Sequence, residues 1–292
     1  MKRFLRWLRY PALVCTALLI AAGFANRVPK LPVPPNVTKR TEKLALQGKD
    51  KPVDIYLPQN VEKAPVVIVA HGFTRHRHVM AGWGILLAQH GMIAVVPNLP
   101  FFADHVGNSQ AIADLISLVH EPGRITNPVP NGDVALMGHS AGGFATLLAA
   151  THNKQARCWI GLDPVDFDHR GREAITALRI PSLMLVADSG AWNRWSNALT
   201  WLQVNGGPLL ALHVRGSTHC DPEFPTSLLA EIACGDTDAT RRAVYERYAV
   251  AMLRYVLFKD QGAHDVMTRH NNDPAVSLLP AEPFPDPAAK EE

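Results

Sequence analysis

Apolar residues along this chain fall into short continuous runs, separated by stretches with helical spacing. "VDIYLP" (53–58) and "VVIVAH" (66–71) read as strands, the second with no polar alternate, as in a strand covered on both faces. Met80 to His90 reads as a helix closed by Gly91, followed by the strand "MIAVVPN" (92–98). The alternation continues with a helix over Asn108–Val119, a strand over 133–138, a helix over Ala141–His152 and a strand "RCWIGLD" (157–163). A strand "IPSLMLVAD" (180–188), a helix around Arg194–Val204, a strand "PLLALHV" (208–214) and a long helix over Asp238–Phe258 complete it. Strand and helix exchanging in this way predict an α/β fold: a mainly parallel sheet with helices on both faces and ligands at the carboxyl ends of its strands.

The ends follow other patterns. Met1–Tyr10 carries Lys2, Arg3, Arg6 and Arg9 without an acid, and Pro11–Ala25 is almost wholly apolar. That is the layout of an export signal over residues 1–25, with cleavage expected after Ala25 and an uncleaved membrane anchor as the alternative. "VPKLPVPP" (28–35) is a stiff spacer, so residues 26–40 read as a proline-rich linker and 41–260 as a single domain. With prolines at 274, 280, 283, 285 and 287, residues 261–292 read as a loop-rich tail with a disordered end.

Composition narrows the partners. At 292 residues and 47% hydrophobic the chain can bury a substantial core. Without the leader, 25 Lys and Arg face 26 Asp and Glu, so nothing electrostatic favours nucleic acid or an anionic membrane; the only membrane contact expected is through an uncleaved leader. A monomer is expected. Of Cys158, Cys220 and Cys234, the first sits in an apolar strand-like run, which leaves Cys220 and Cys234 as the expected disulfide in an oxidising compartment.

The chemistry centres on "ALMGHSAGGFA" (135–145), where an apolar strand stops at Gly138-His139-Ser140-Ala141-Gly142 and continues as a helix. A G-x-S-x-G turn between strand and helix lifts its serine off the sheet and sets it at a helix N-terminus, where developing negative charge is favoured. Ser140 is therefore the candidate nucleophile. Its base must follow along the chain, and His219 in "VRGSTHCD" stands just after a late strand. Asp163 and Asp188 each end a late strand, so the pattern alone leaves two candidate acids. For the oxyanion, the N–H of Ala141 is one donor and that of Phe73, in the loop after "VVIVAH", the other. Phe73, Trp83, Trp192 and Trp195 are candidates to line the cleft. His71, His76 and His78 do not amount to a metal site, and neither metal nor cofactor is expected.

"AHGFTRHRHVMAGWGILLAQHGMIAVVPNLP", "GHSAGG", "IGLDPVD" and "GSTHCDPEF" together resemble the α/β-hydrolase serine esterases that include chlorophyllases and lidless polyester hydrolases or cutinases. The likeness runs from about Asp54 to Phe224. It implies the α/β-hydrolase fold, ester hydrolysis and a Ser-His-Asp triad. "HGFT" is similar to the cutinase oxyanion segment, whose aromatic residue also flanks the ester. "LDPVD" resembles the chlorophyllase segment whose first aspartate is the triad acid, which implies Asp163. Two departures stand out: "VADSGAWN" puts Gly190 where cutinase-like enzymes carry the acid, and Ala141 stands where plant chlorophyllases carry arginine. Only 16 residues, 164–179, separate two strands where relatives insert a lid, so an open cleft for a bulky or aromatic ester, small or polymeric, is expected. An acyltransferase or peptidase with the same triad, or a non-catalytic binding protein on the same fold, are the alternatives.

Overall fold

The computed structural model describes residues 27–167 and 169–280; the leader and the end of the tail lie outside the described residues. Its sheet has nine strands in the order β1-β2-β4-β3-β5-β6-β7-β8-β9. These are β1 (Val37–Leu46), β2 (Lys49–Pro58), β3 (Lys63–Ala70), β4 (Ile93–Pro97), β5 (Val129–His139), β6 (Ala156–Leu162), β7 (Ser182–Val186), β8 (Leu209–Val214) and β9 (Val276–Leu278). Strands β4, β3, β5, β6, β7 and β8 run parallel, while β2 and β9 run against them at the two sides and β1 pairs antiparallel with β2 at the edge.

Among the described residues seven α-helices accompany them: α1 (Ala81–Gln89), α2 (His105–Val119), α3 (Ala141–His152), α4 (Gly171–Ala177), α5 (Leu228–Cys234), α6 (Ala239–Phe258) and α7 (Gln261–Thr268). Alternate side chains of β3 divide between two cores. Val66, Ile68 and Ala70 pack under α2 and α3, whereas Val67 and Val69 pack under α1 and α6. Both faces being covered is why the run is uninterruptedly apolar. Helix α6 starts where the Asp238 carboxylate accepts the N–H groups of Thr240 and Arg241, an N-cap that satisfies donors without an intrahelical partner.

Three elements differ from the pattern's prediction. Strand β1 begins at Val37, inside the expected linker, and pairs along its length with β2; only Val37, Leu44 and Leu46 of its side chains are buried, so its period was faint. The expected helix around Arg194–Val204 is a pair of 3₁₀ turns, Ala191–Asn193 and Asn197–Gln203, because Arg194, Trp195 and Ser196 all take left-handed backbone. Within the expected tail, α7 buries Ala263 and Met267 and β9 pairs with β8. Among the described residues no helix is long and apolar enough to cross a membrane.

The order β4-β3-β5 puts strand neighbours on either side of β3, the point where the loops after β3 and β5 part and leave a crevice. Ala70 pairs with Gly138 and His139 with Leu162, so the segments beginning at His71, Ser140 and Asp163 emerge side by side.

Candidate active site

Ser140 occupies a strained turn, φ 55° and ψ −124°, between β5 and α3. A side chain at either flanking glycine would collide with backbone: a Cβ on Gly138 would lie 2.3 Å from the Gly142 carbonyl oxygen, and one on Gly142 would lie 2.4 Å from that of His71. The turn therefore closes only with glycine at both positions. The Ser140 N–H donates to the Leu162 carbonyl at 3.1 Å, which fastens the turn to the end of β6.

His219 follows β8, and its ring joins two groups. Nε2 accepts from the Ser140 hydroxyl at 2.9 Å, and Nδ1–H donates to Asp163 Oδ2 at 2.5 Å. Asp163 itself is 1% exposed and turns back over the sheet with φ 42°. Its Oδ1 accepts from the Ala187 N–H at 3.0 Å, and the Asn193 side-chain amide donates to Oδ2 at 3.2 Å. Burial would lower the His219 pKa, but the hydrogen bond and charge of Asp163 outweigh it and hold the imidazole above its ordinary value.

The structure thus separates the two candidate acids. Asp188 accepts from His213 Nε2 at 2.7 Å and from the Gly216 N–H at 3.2 Å, so it is engaged with β8 and the turn that follows it. Asn193 is 1% exposed and had no signal in the sequence: its Oδ1 accepts from the N–H groups of Gly190 and Ser196, which aims its amide at Asp163.

Two further histidines brace the loops. Leu99 N–H donates to His71 Nε2 at 3.0 Å, so the proton of this buried ring sits on Nδ1 and is donated to the Gly72 carbonyl at 2.9 Å. In a trans peptide the Phe73 N–H points opposite to that carbonyl. Gly72 packs against Ser140, since a Cβ there would lie 3.1 Å from the serine Cβ. His139 donates from Nε2 to the His219 carbonyl at 2.7 Å, with the two rings 4.7 Å apart. Burial pushes the pKa values of His71 and His139 down to about 4, so both rings are neutral near pH 7. With His71 engaged in this way, it does not converge with His76 and His78; among the described residues no group of three His, Cys, Asp or Glu is arranged to hold a metal ion.

Glu223 is another buried carboxylate beside the site, which the pattern did not single out. Burial alone would raise its pKa, but the hydrogen bonds and charge of Arg75 and the Thr226 hydroxyl leave it below the ordinary carboxylate value.

A cleft of about 370 Å³ opens over Ser140 and His219, walled by Phe73, Phe167, Trp192 and Leu229. Phe73 meets Phe102 at 4.6 Å and Phe167 at 5.8 Å between ring centres, and the Arg194 guanidinium lies 4.3 Å over Phe167. Trp192 Nε1–H donates to the Ala233 carbonyl of α5 at 2.5 Å, joining two walls of the cleft. Two expectations are corrected here. Trp195 is 73% exposed and outside the cleft lining, because the left-handed turn at 194–196 carries it outward; Trp83 is buried, its Nε1–H bonded to the Pro222 carbonyl.

The expected Cys220–Cys234 disulfide is also absent, and Cys158, Cys220 and Cys234 are all free thiols. The loop after β8 and the end of α5 do bring Cys220 and Cys234 together on one wall of the cleft, and their interaction pushes the Cys220 pKa up and that of Cys234 down.

A mainly parallel sheet carrying a serine on a strained strand-to-helix turn, with loops after the five neighbouring strands β3, β5, β6, β7 and β8 meeting around it, is an α/β-hydrolase. The chain belongs to the PET hydrolase-like family, whose model matches residues 46–200, just over half its length. Membership makes it a serine ester hydrolase and agrees with the polyester-hydrolase side of the resemblance. No curated protein matches the chain.

Proposed function

We propose that the protein is an exported carboxylesterase that cleaves bulky or aromatic esters, small or polymeric, with Ser140, His219 and Asp163 as its triad. His219 Nε2 takes the Ser140 proton as Oγ attacks the ester carbonyl, and the N–H groups of Phe73 and Ala141 hold the oxyanion. The leaving alcohol departs with the proton from His219. Water then loses a proton to the same nitrogen and attacks the acyl-serine, releasing the acid and restoring the hydroxyl.

The observation that carries this reading is the continuous line from Ser140 Oγ through His219 to Asp163, with contacts of 2.9 and 2.5 Å. A nucleophile hydrogen-bonded to a base that is itself oriented by an acid is the arrangement acyl transfer requires. The assigned oxyanion donors rest on the position of Gly72 against Ser140 and on the place of Ala141 as the first residue of α3, whose N–H has no intrahelical acceptor. The aromatic walls and the short α4 connection between β6 and β7 favour a flat acyl or aryl group entering without a lid. The basic, then apolar, leader favours export with cleavage after Ala25, and a monomer is the working state.

A fluorophosphonate probe tests the central step. Labelling of the wild-type chain that is lost in Ser140→Ala supports the reading, and equal labelling of the two refutes it. A panel of p-nitrophenyl esters of increasing acyl length, run beside a polyester film, a chlorophyll assay and a peptide substrate, reports the ester class. N-terminal sequencing of exported protein should begin at Asn26.

A further inference from the structure

We infer that the buried Arg75–Glu223 pair is a positioning clamp that holds the oxyanion loop and the histidine loop in one catalytic geometry. The inference rests on the hydrolytic reading above, and it extends that reading to two residues outside the triad and the oxyanion donors.

Arg75 lies two residues beyond Phe73, and its N–H returns to the Gly72 carbonyl at 3.2 Å, closing the turn that carries the proposed oxyanion donor. Glu223 lies four residues beyond His219, and its N–H donates to the Cys220 carbonyl at 2.9 Å within the histidine loop. Between the two, the guanidinium forks onto the carboxylate, with Nε to Oε1 at 2.8 Å and Nη2 to Oε2 at 2.6 Å. Thr226 Oγ1 adds a third donor to Oε2 at 2.8 Å. The Glu223 side chain is wholly buried and that of Arg75 is 12% exposed.

The same carboxylate also faces the nucleophile's turn. His139 Nδ1 stands 3.6 Å from Glu223 Oε1, while Nε2 of that ring holds the His219 carbonyl. One buried group thus borders all three segments that would have to agree in position: 72–75, 139–140 and 219–223. A planar, bidentate fork fixes orientation as well as distance, which a single contact cannot do. Stability alone does not call for such a pair, because apolar residues of similar volume commonly serve a fold as well or better. Catalysis does call for it, since a displacement of about 1 Å at the reacting groups can cost about 10²-fold in rate.

The experiment uses the full chain with Glu223→Gln, Arg75→Lys and the double variant Arg75→Met/Glu223→Leu. For each, the melting temperature, kcat and KM on a p-nitrophenyl ester, and the rate of fluorophosphonate labelling are measured. The clamp predicts that kcat and labelling rate fall about 10- to 100-fold in Glu223→Gln and Arg75→Lys, with KM changed about threefold or less. The double variant should regain the wild-type melting temperature without regaining kcat. Recovery of kcat together with melting temperature would reduce the pair to a structural role and overturn the inference, as would a loss expressed wholly in KM. If Glu223→Gln does not fold, Arg75→Lys, which keeps the charge and loses the fork, decides by the same criteria. Wild-type labelling with unchanged kcat in both single variants refutes the clamp alone; absence of wild-type labelling refutes the hydrolytic reading and the clamp with it.

Discussion

Nδ1 of His219 lies 2.5 Å from Oδ2 of Asp163, a carboxylate that follows β6, while Asp188, which follows β7, is bonded to His213. The two aspartates end adjacent strands with similar apolar runs, and only one reaches the imidazole. Asp163→Asn should therefore lower kcat about 10⁴-fold by leaving the ring in the wrong tautomer. Asp188→Asn should leave ester turnover within about twofold, since it loses a half-exposed pair with His213. Kinetics of the two variants on one ester decide the matter, and near-normal turnover in Asp163→Asn would refute the assignment.

The same contact sets a pH dependence. As the proposed base, His219 would work only when neutral, and Asp163 holds its pKa above the ordinary value of 6.5, so kcat/KM should rise with pH through a point above 6.5. Replacing Asp163 by Asn leaves burial as the dominant influence, and burial lowers a histidine pKa. The acid limb of the residual activity should then move to lower pH. A limb that stays in place in the variant would show that some other group titrates.

How much of this was legible in the chain follows from where each residue's partner lies. Ser140 was readable because the turn needs Gly138 and Gly142 within two residues of it, and His219 because it directly follows an apolar strand. Asp163 and Asp188 were not separable by period: the difference is a left-handed φ at Asp163 and an amide from Asn193, thirty residues away. Arg75 and Glu223 were invisible for a related reason, since their ion pair spans 148 residues and each looks like an ordinary surface charge in isolation. Strands β1 and β9 escaped because edge strands bury few side chains, and the 194–204 segment because three consecutive left-handed residues leave no mark in hydrophobic spacing.

The elbow has no room for even one carbon. A Cβ at Gly142 would sit 2.4 Å from the His71 carbonyl oxygen and 2.6 Å from that of Ala70, both backbone atoms of the segment leading to Phe73. Gly142→Ala must therefore push the end of β3 and the proposed oxyanion loop outward. We expect a loss of about 3 kcal/mol in stability, at the upper end for overpacking. A fall of about 10²-fold in kcat should accompany it. Denaturant unfolding beside ester kinetics reads both; wild-type values in each would mean that the turn relaxes without cost.

Acid should destabilise the fold before its carboxylates titrate. His71 and His139 titrate near 4 in the folded protein against an ordinary 6.5, because both rings are buried. Between those values the unfolded chain binds protons that the folded chain refuses, so stability falls as pH drops from 6.5 toward 4, by about 3 kcal/mol for each ring. His76, His78 and His90, also held down by burial, act in the same direction. His219 has the opposite sign, but in another window: its raised pKa adds stability that is complete below 6.5 and is lost as pH rises past its folded value. The slope of unfolding free energy contributed by these two rings should therefore grow from about one proton at pH 6.5 toward two at pH 5. In His71→Gln the slope at pH 5 should fall by about one; an unchanged slope would mean that the His71 ring is protonated in the folded state, and that its Nε2 does not accept from Leu99.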